Sequence, residues 1–146
     1  MTVAKLLKHD FAKGSLNLFD SNCKETYYEN STGYWYKKEY DTNGNQTYFE
    51  DSNEYWYKRE YNSNGKRTYY KCSDGYWYKY EYDSNSNRTY FENSDGYWSK
   101  KEYDSNGNEI YYETSDGTIE DNRPKANSNG KTVIIDGIEY ELKEKK

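Results

Sequence analysis

One stretch repeats itself through most of the chain. Residues 82–102 read YDSNSNRTYFENSDGYWSKKE, and variants precede and follow without a gap. The opening tyrosine recurs at Tyr40, Tyr61, Tyr82 and Tyr103, each step being 21 residues. A period of this length outranks every local signal, because the repeated unit cannot bury a face alone and must stack on its copies. Each copy holds two strand-like runs, for example Gln46–Glu50 and Tyr55–Tyr61, rich in aromatics and threonine. Between them lie two turns, Asp41-Thr42-Asn43-Gly44-Asn45 and Asp51-Ser52-Asn53-Glu54, the latter written Asn93-Ser94-Asp95-Gly96 in a later copy. Asn-Gly and Asp-Gly supply the positive φ that tight hairpins need. Two strands per module, short turns and no helix between them predict an all-β antiparallel meander of about five 21-residue hairpin repeats.

Period-two alternation then distributes the side chains. In Tyr76–Tyr82 the tyrosines at 76, 78, 80 and 82 share one face, and Trp77, Lys79 and Glu81 take the other. Between Tyr27 and Glu109 there is no Ala, Val, Ile, Leu or Met, while 20% of the chain is aromatic. What is shielded there must be rings and the stems of Lys and Arg. Neither face is aliphatic, so neither demands a second layer, and a single twisted sheet is predicted over residues 16–117. The aromatic content also argues against disorder, which a chain with 32% charged residues would otherwise suggest.

The ends differ from the middle, and the whole of 1–146 reads as one repeat domain. Over 1–15, Val3, Leu6, Leu7 and Phe11 fall at helical spacing, with Thr2 as N-cap and Gly14 as the stop. This predicts an amphipathic helix covering the first sheet edge. Leu16–Glu39 is a degenerate first repeat. The last one fails at Thr118-Ile119, where Tyr-Trp is expected, so 118–130 reads as a loop containing Pro124. Residues 131–143 hold the aliphatic run Val133-Ile134-Ile135 and an Asp136-Gly137 turn, expected as a capping β-hairpin. Residues 144–146 are expected to fray.

Tyr-Asp-Ser-Asn-Gly-Asn, an Asp-Gly nine residues on, and a return after 21 residues resemble the YD repeats of Rhs and teneurin-type proteins. The resemblance covers about Phe19 to Gly117. In that family many repeats wind into a hollow β-shell that encloses a toxin. Some five copies here are too few to close one, so the resemblance implies strand architecture rather than encapsulation. The compact tandem form is also similar to short accessory proteins of phages and prophages.

No arrangement of a hydrolase triad, zinc-protease motif or P-loop is present, and His9 is the only histidine, so an enzyme is not expected. No metal and no cofactor are expected either: the Asp41–Asn45 turn is similar to the front of a calcium loop, but its glycine falls too early. Glu39, Glu60, Glu81 and Glu102 recur beside lysines and read as cross-strand ion pairs. Cys23 and Cys72 occupy non-equivalent repeat slots and read as free thiols in a reducing compartment. Net charge of −5 with interspersed signs does not favour nucleic acid or acidic membranes. With no leader-like or membrane-spanning run, a cytoplasmic location in a bacterial host is expected.

The repeated Tyr-Trp pairs at 34–35, 55–56, 76–77 and 97–98 serve as sheet glue on one reading and as a recognition surface on the other. The expected function is a non-enzymatic protein-binding module, with a phage- or prophage-encoded inhibitor of a bacterial defence complex, anti-CRISPR-like, as the specific form. The candidate binding residues are Tyr55, Tyr57, Arg59, Tyr76, Tyr78, Lys79, Tyr80 and Tyr97. Two alternatives are a carbohydrate- or cell-wall-binding aromatic repeat protein and a structural ribbon that self-associates through its open sheet edges.

Overall fold

The computed structural model describes residues 2–124 and 131–143. An 11-stranded sheet runs in strict sequence order. Its strands are β1 Leu16–Phe19, β2 Glu25–Glu29, β3 Trp35–Tyr40, β4 Gln46–Asp51, β5 Trp56–Tyr61 and β6 Arg67–Cys72, followed by β7 Trp77–Tyr82, β8 Arg88–Asn93, β9 Trp98–Tyr103, β10 Glu109–Thr114 and β11 Ile119–Asp121. Every pairing is antiparallel, so the predicted single-layer meander is the fold. It extends a little beyond the expected range. Ile119–Asp121 is a strand rather than loop, because Ile119 takes the tryptophan's place opposite Glu113, as Trp98 does opposite Glu92.

The first turn of each repeat is held by its Asx side chain. Oδ1 of Asp41 accepts the backbone N–H of Asn43 and Asn45 at 2.9 and 2.8 Å, and Oδ2 accepts Nδ2 of Asn45 at 3.0 Å. Asp83 and Asp104 make the same set. Both carboxylate oxygens are therefore occupied by the turn, which accounts for the aspartates without a cation. Each strand after such a turn then bulges, leaving Thr26, Thr47, Thr68, Thr89 and Ile110 without a cross-strand partner. At the same level the repeat-opening tyrosines reach back one hairpin. The phenols of Tyr40, Tyr61, Tyr82 and Tyr103 donate to the carbonyls of Glu25, Gln46, Arg67 and Arg88 at 3.0–3.2 Å.

The ends depart from expectation. Helix α1 spans only Val3–Leu7, because Lys8 turns left-handed and closes it; Gly14 instead ends a separate 3₁₀ turn at Phe11–Lys13. Thr2 does cap the helix. Only part of the apolar stripe is covered: Val3 is half-buried beside Tyr27 and Trp35, whereas Leu6 and Leu7 are 69% and 55% exposed. What anchors the segment is Ala4, buried, whose N–H donates to Oε2 of buried Glu29 at 2.8 Å. The C-terminal hairpin, β12 Thr132–Ile135 with β13 Ile138–Glu141, forms a sheet of its own through the Asp136-Gly137 turn. All its strand residues are exposed, so it does not act as a buried cap. The fraying expected at 144–146 lies outside the described residues.

Glu54, Ser86 and Cys23 hold φ of 65°, 66° and 59° in turn slots that glycine fills in sister repeats, such as Gly44 at 86°. A non-glycine residue there is strained by roughly 1 kcal/mol. Glu54→Gly should therefore stabilise by about 0.5–1 kcal/mol and raise the thermal midpoint by about 2–4 °C; an unchanged or lower midpoint would refute the strain. Burial pushes the Glu29 carboxyl up, but hydrogen bonds from Thr2, Ala4 and Tyr27 outweigh it and leave its pKa below the usual 4.5. Its contribution is thus present above pH 4.5 and lost as pH falls through the lowered folded value. The protection factor of the Ala4 amide, corrected for the intrinsic exchange rate, should fall below that point ahead of the sheet amides, and Glu29→Gln should abolish the step.

Candidate functional site

The register gives the sheet two chemically distinct faces. On the first, Tyr28, Tyr36, Phe49, Tyr57, Tyr70, Tyr78 and Phe91 form one ladder across seven strands. Directly opposed pairs (Tyr28–Tyr36, Phe49–Tyr57, Tyr70–Tyr78) have centroids 5.1, 5.3 and 5.8 Å apart. The diagonal links Tyr36–Phe49, Tyr57–Tyr70 and Tyr78–Phe91 measure 5.8, 6.0 and 6.0 Å. Interplanar angles of 11–33° make the rings stand side by side like books. Each inner ring has both faces covered by neighbours, and the hydroxyls of Tyr36, Tyr57 and Tyr70 are engaged by Glu25, Gln46 and Tyr55. The ladder ends at Phe91, because Ser99 stands opposite it where earlier repeats carry Tyr36, Tyr57 and Tyr78.

A second row leans on the first. Tyr34 and Tyr55 meet Tyr36 and Tyr57 edge-on at 6.3 and 6.2 Å, and Tyr97 lies against Phe91 at 6.1 Å. The hydroxyls of Tyr55 and Tyr70 are 3.4 Å apart, those of Tyr97 and Tyr112 3.2 Å. Tyr76 is 52% exposed. Arg59 lies 4.2 Å over Tyr57, and Arg67 lies 5.3 and 5.5 Å from Tyr70 and Tyr80. Cys72, a buried free thiol, takes an Asx slot at the edge of this region; Cys23 is free and exposed.

The opposite face has no such ladder. It carries Trp35, Trp56, Trp77 and Trp98 with tyrosines separated by lysines: Lys37 and Lys58 lie 5.2 and 6.0 Å over the Tyr48 ring, and Lys79 lies 5.4 Å over Tyr90. Carboxylates neutralise several of them, as in Lys37–Glu50 at 2.6 Å across strands. Glu81 pairs instead along its own strand with Lys79 at 2.8 Å, Glu102 with Arg123 beyond β11 at 3.3 Å, and Glu39 and Glu60 enter no ion pair among the described residues, so the cross-strand lysine pairs expected for these four glutamates do not form.

Of the eight candidate residues, the structure gathers Tyr55, Tyr57, Arg59, Tyr76, Tyr78, Tyr80 and Tyr97 on the tyrosine face. Lys79 does not belong with them. It opposes Glu92 and Tyr69 on the tryptophan face, as strict alternation requires. Sequence reasoning missed Arg67, which the bulge at Thr68 brings onto the tyrosine face opposite Tyr61.

No protein-family profile and no curated protein matches the sequence. Among solved structures, the crystal structure of TcdB2-TccC3-TEV matches with a TM-score of 0.51 and 17% identity, over 69% of this chain and 5% of that one. The crystal structure of TcdB2-TccC3-Cdc42 matches at 0.50 and 17%, over 68% and 5%. This chain thus spans a small fraction of the proteins it is similar to. At such identity the likeness is one of fold, a repeated antiparallel meander. Among the described residues no helix is long and apolar enough to cross a membrane, which says nothing of β-barrels.

Tyrosines of both faces set a pH limit. Burial, and then the hydrogen bond to Glu29, push Tyr27 up to about 12; burial also raises Tyr36 and Tyr70, helped by Glu25 and Tyr55 respectively. A raised folded pKa means stability that is full below the unfolded value of 10.0 and lost as pH climbs through the folded one. The tyrosinate absorbance of Tyr27, Tyr36 and Tyr70, read as the difference from each Tyr→Phe variant, should therefore appear above pH 10 together with loss of the β circular-dichroism signal. Ionisation of these three near pH 10 with the sheet intact would contradict this.

Proposed function

We propose that the chain is a non-enzymatic protein-binding module that meets its partner with the tyrosine face. The observation that carries this is the ladder's geometry. Rings whose flat faces are already stacked cannot offer them to a sugar or a nucleobase, but they do offer a rigid row of ring edges. Such a row loses little conformational entropy on binding, and tyrosine and arginine are the residues that dominate protein interfaces. Tyr55 and Tyr76 stand proud of it, 36% and 52% exposed.

The same geometry weakens the carbohydrate alternative, because sugars pack on exposed ring faces. Self-association through sheet edges finds its best support at β11, whose three residues are all exposed. The narrower reading is a short YD-type repeat protein of a phage or prophage that inhibits a bacterial defence complex, as an anti-CRISPR does. It rests on the 21-residue period and on the small, acidic, tyrosine-dense composition.

Capture from bacterial lysate on the immobilised full chain tests the binding reading. A Tyr55→Ser/Tyr76→Ser variant should lose captured partner by tenfold or more, the size of about 1.4 kcal/mol, with its melting curve nearly unchanged. Lys58→Glu/Lys100→Glu, on the other face, should retain the partner, and EDTA should not release it. Dependence on the lysine pair with indifference to the tyrosines would assign binding to the wrong face here.

A further inference from the structure

Resting on that reading, we infer that the surface recognised is a carboxylate-rich protein segment, received by Arg59, Arg67 and Arg88. All arginines of the repeats lie on the tyrosine face, in a chain whose net charge is −5. Among the described residues none of the three enters an ion pair. At the two ends of the same face the cations are neutralised: Lys38 by Glu25 at 3.3 Å and Lys101 by Glu109 at 2.6 Å. The middle of the face therefore carries three arginines outside any ion pair, in an acidic molecule.

The arginines are also poised. Arg59 lies over Tyr57, Arg67 over Tyr70 and Tyr80, and Arg88 5.4 Å over Phe91. A guanidinium laid on a ring is pre-organised, and its fork suits the two oxygens of a carboxylate. Arg59 and Arg67 line a concavity of about 380 Å³ with Tyr55, Tyr76 and Tyr78 around it. One carboxylate, Asp74, also lines it and pairs with neither arginine. It gives the concavity an acceptor that would help to orient a segment also carrying hydrogen-bond donors.

Phosphate polymers are the competing anions. Single-stranded nucleic acid is held by stacking on open ring faces and by an extended positive field. The ladder leaves no inner face open, and the tryptophan face adds Glu50, Glu81, Glu92 and Glu102 behind the sheet. A short acidic peptide, read within one Debye length of about 10 Å, suits the local charge better.

Fluorescence anisotropy with a labelled oligo-glutamate peptide tests this on the full chain, with labelled oligo-lysine and oligothymidylate of equal charge number as the comparison. Oligo-glutamate should bind saturably and more tightly than either. Arg59→Gln/Arg67→Gln should weaken it at least tenfold, while Lys58→Gln/Lys100→Gln changes it less than twofold. With the wild-type chain, free oligo-glutamate should release a partner captured from lysate. No saturable oligo-glutamate binding, indifference to the arginine pair, or tighter oligothymidylate binding overturns the inference. If oligo-glutamate fails while Tyr55→Ser/Tyr76→Ser still loses the lysate partner, the binding module stands and only its acidic partner falls.

Discussion

The stacking of one tyrosine on the next is what this structure cannot do without. A sheet with no second layer has no interior: among the described residues the buried apolar side chains are only Ala4, Leu16 and Cys72, and no side chain is wholly enclosed. The shielding that other folds obtain between layers is obtained here within one layer, ring against ring, at 5–6 Å. Aromatic pairs contribute about 0.5–1.5 kcal/mol each beyond area burial, and six links run from Tyr28 to Phe91. Because each ring touches only its neighbours, stability accumulates along the ribbon as it does in other repeat proteins.

The two faces solve the same problem with different chemistry. On the tryptophan face, rings alternate with lysines, whose stems shield the rings and whose charges meet nearby glutamates. On the tyrosine face, rings meet rings and the cations lie on top of them. Such an arrangement keeps one side well hydrated and locally near neutral. The other side becomes stiff, faintly apolar and cationic at its centre, the combination that a recognition surface needs.

Much of this was legible in the residues. The period placed every turn, the alternation of Tyr76, Tyr78 and Tyr80 with Trp77, Lys79 and Glu81 placed the faces, and the absence of aliphatic residues between Tyr27 and Glu109 excluded a second layer. The failures have local causes. Helical spacing cannot reveal that Lys8 adopts a left-handed conformation, so it predicts a longer helix with its leucines against the sheet. Threonine in a strand gives no sign of a bulge, so Arg67 was overlooked. Ile119 preserves the strand through backbone pairing alone, which side-chain matching to Tyr-Trp could not register.

The back-reaching phenols give the ribbon a direction. Each repeat-opening tyrosine needs a carbonyl from the hairpin before it and nothing from the one after. The first repeat, with no such predecessor, carries Phe19 in that place, and the ring is 58% exposed. A chain emerging from the ribosome could therefore close every stitch as soon as its tyrosine appears, the acceptor already being in place. Loss of modules from the C-terminal end would leave all remaining stitches whole, whereas loss from the N-terminal end would strand a phenol. Growth and decay of such a protein by whole modules would be tolerated at one end and penalised at the other.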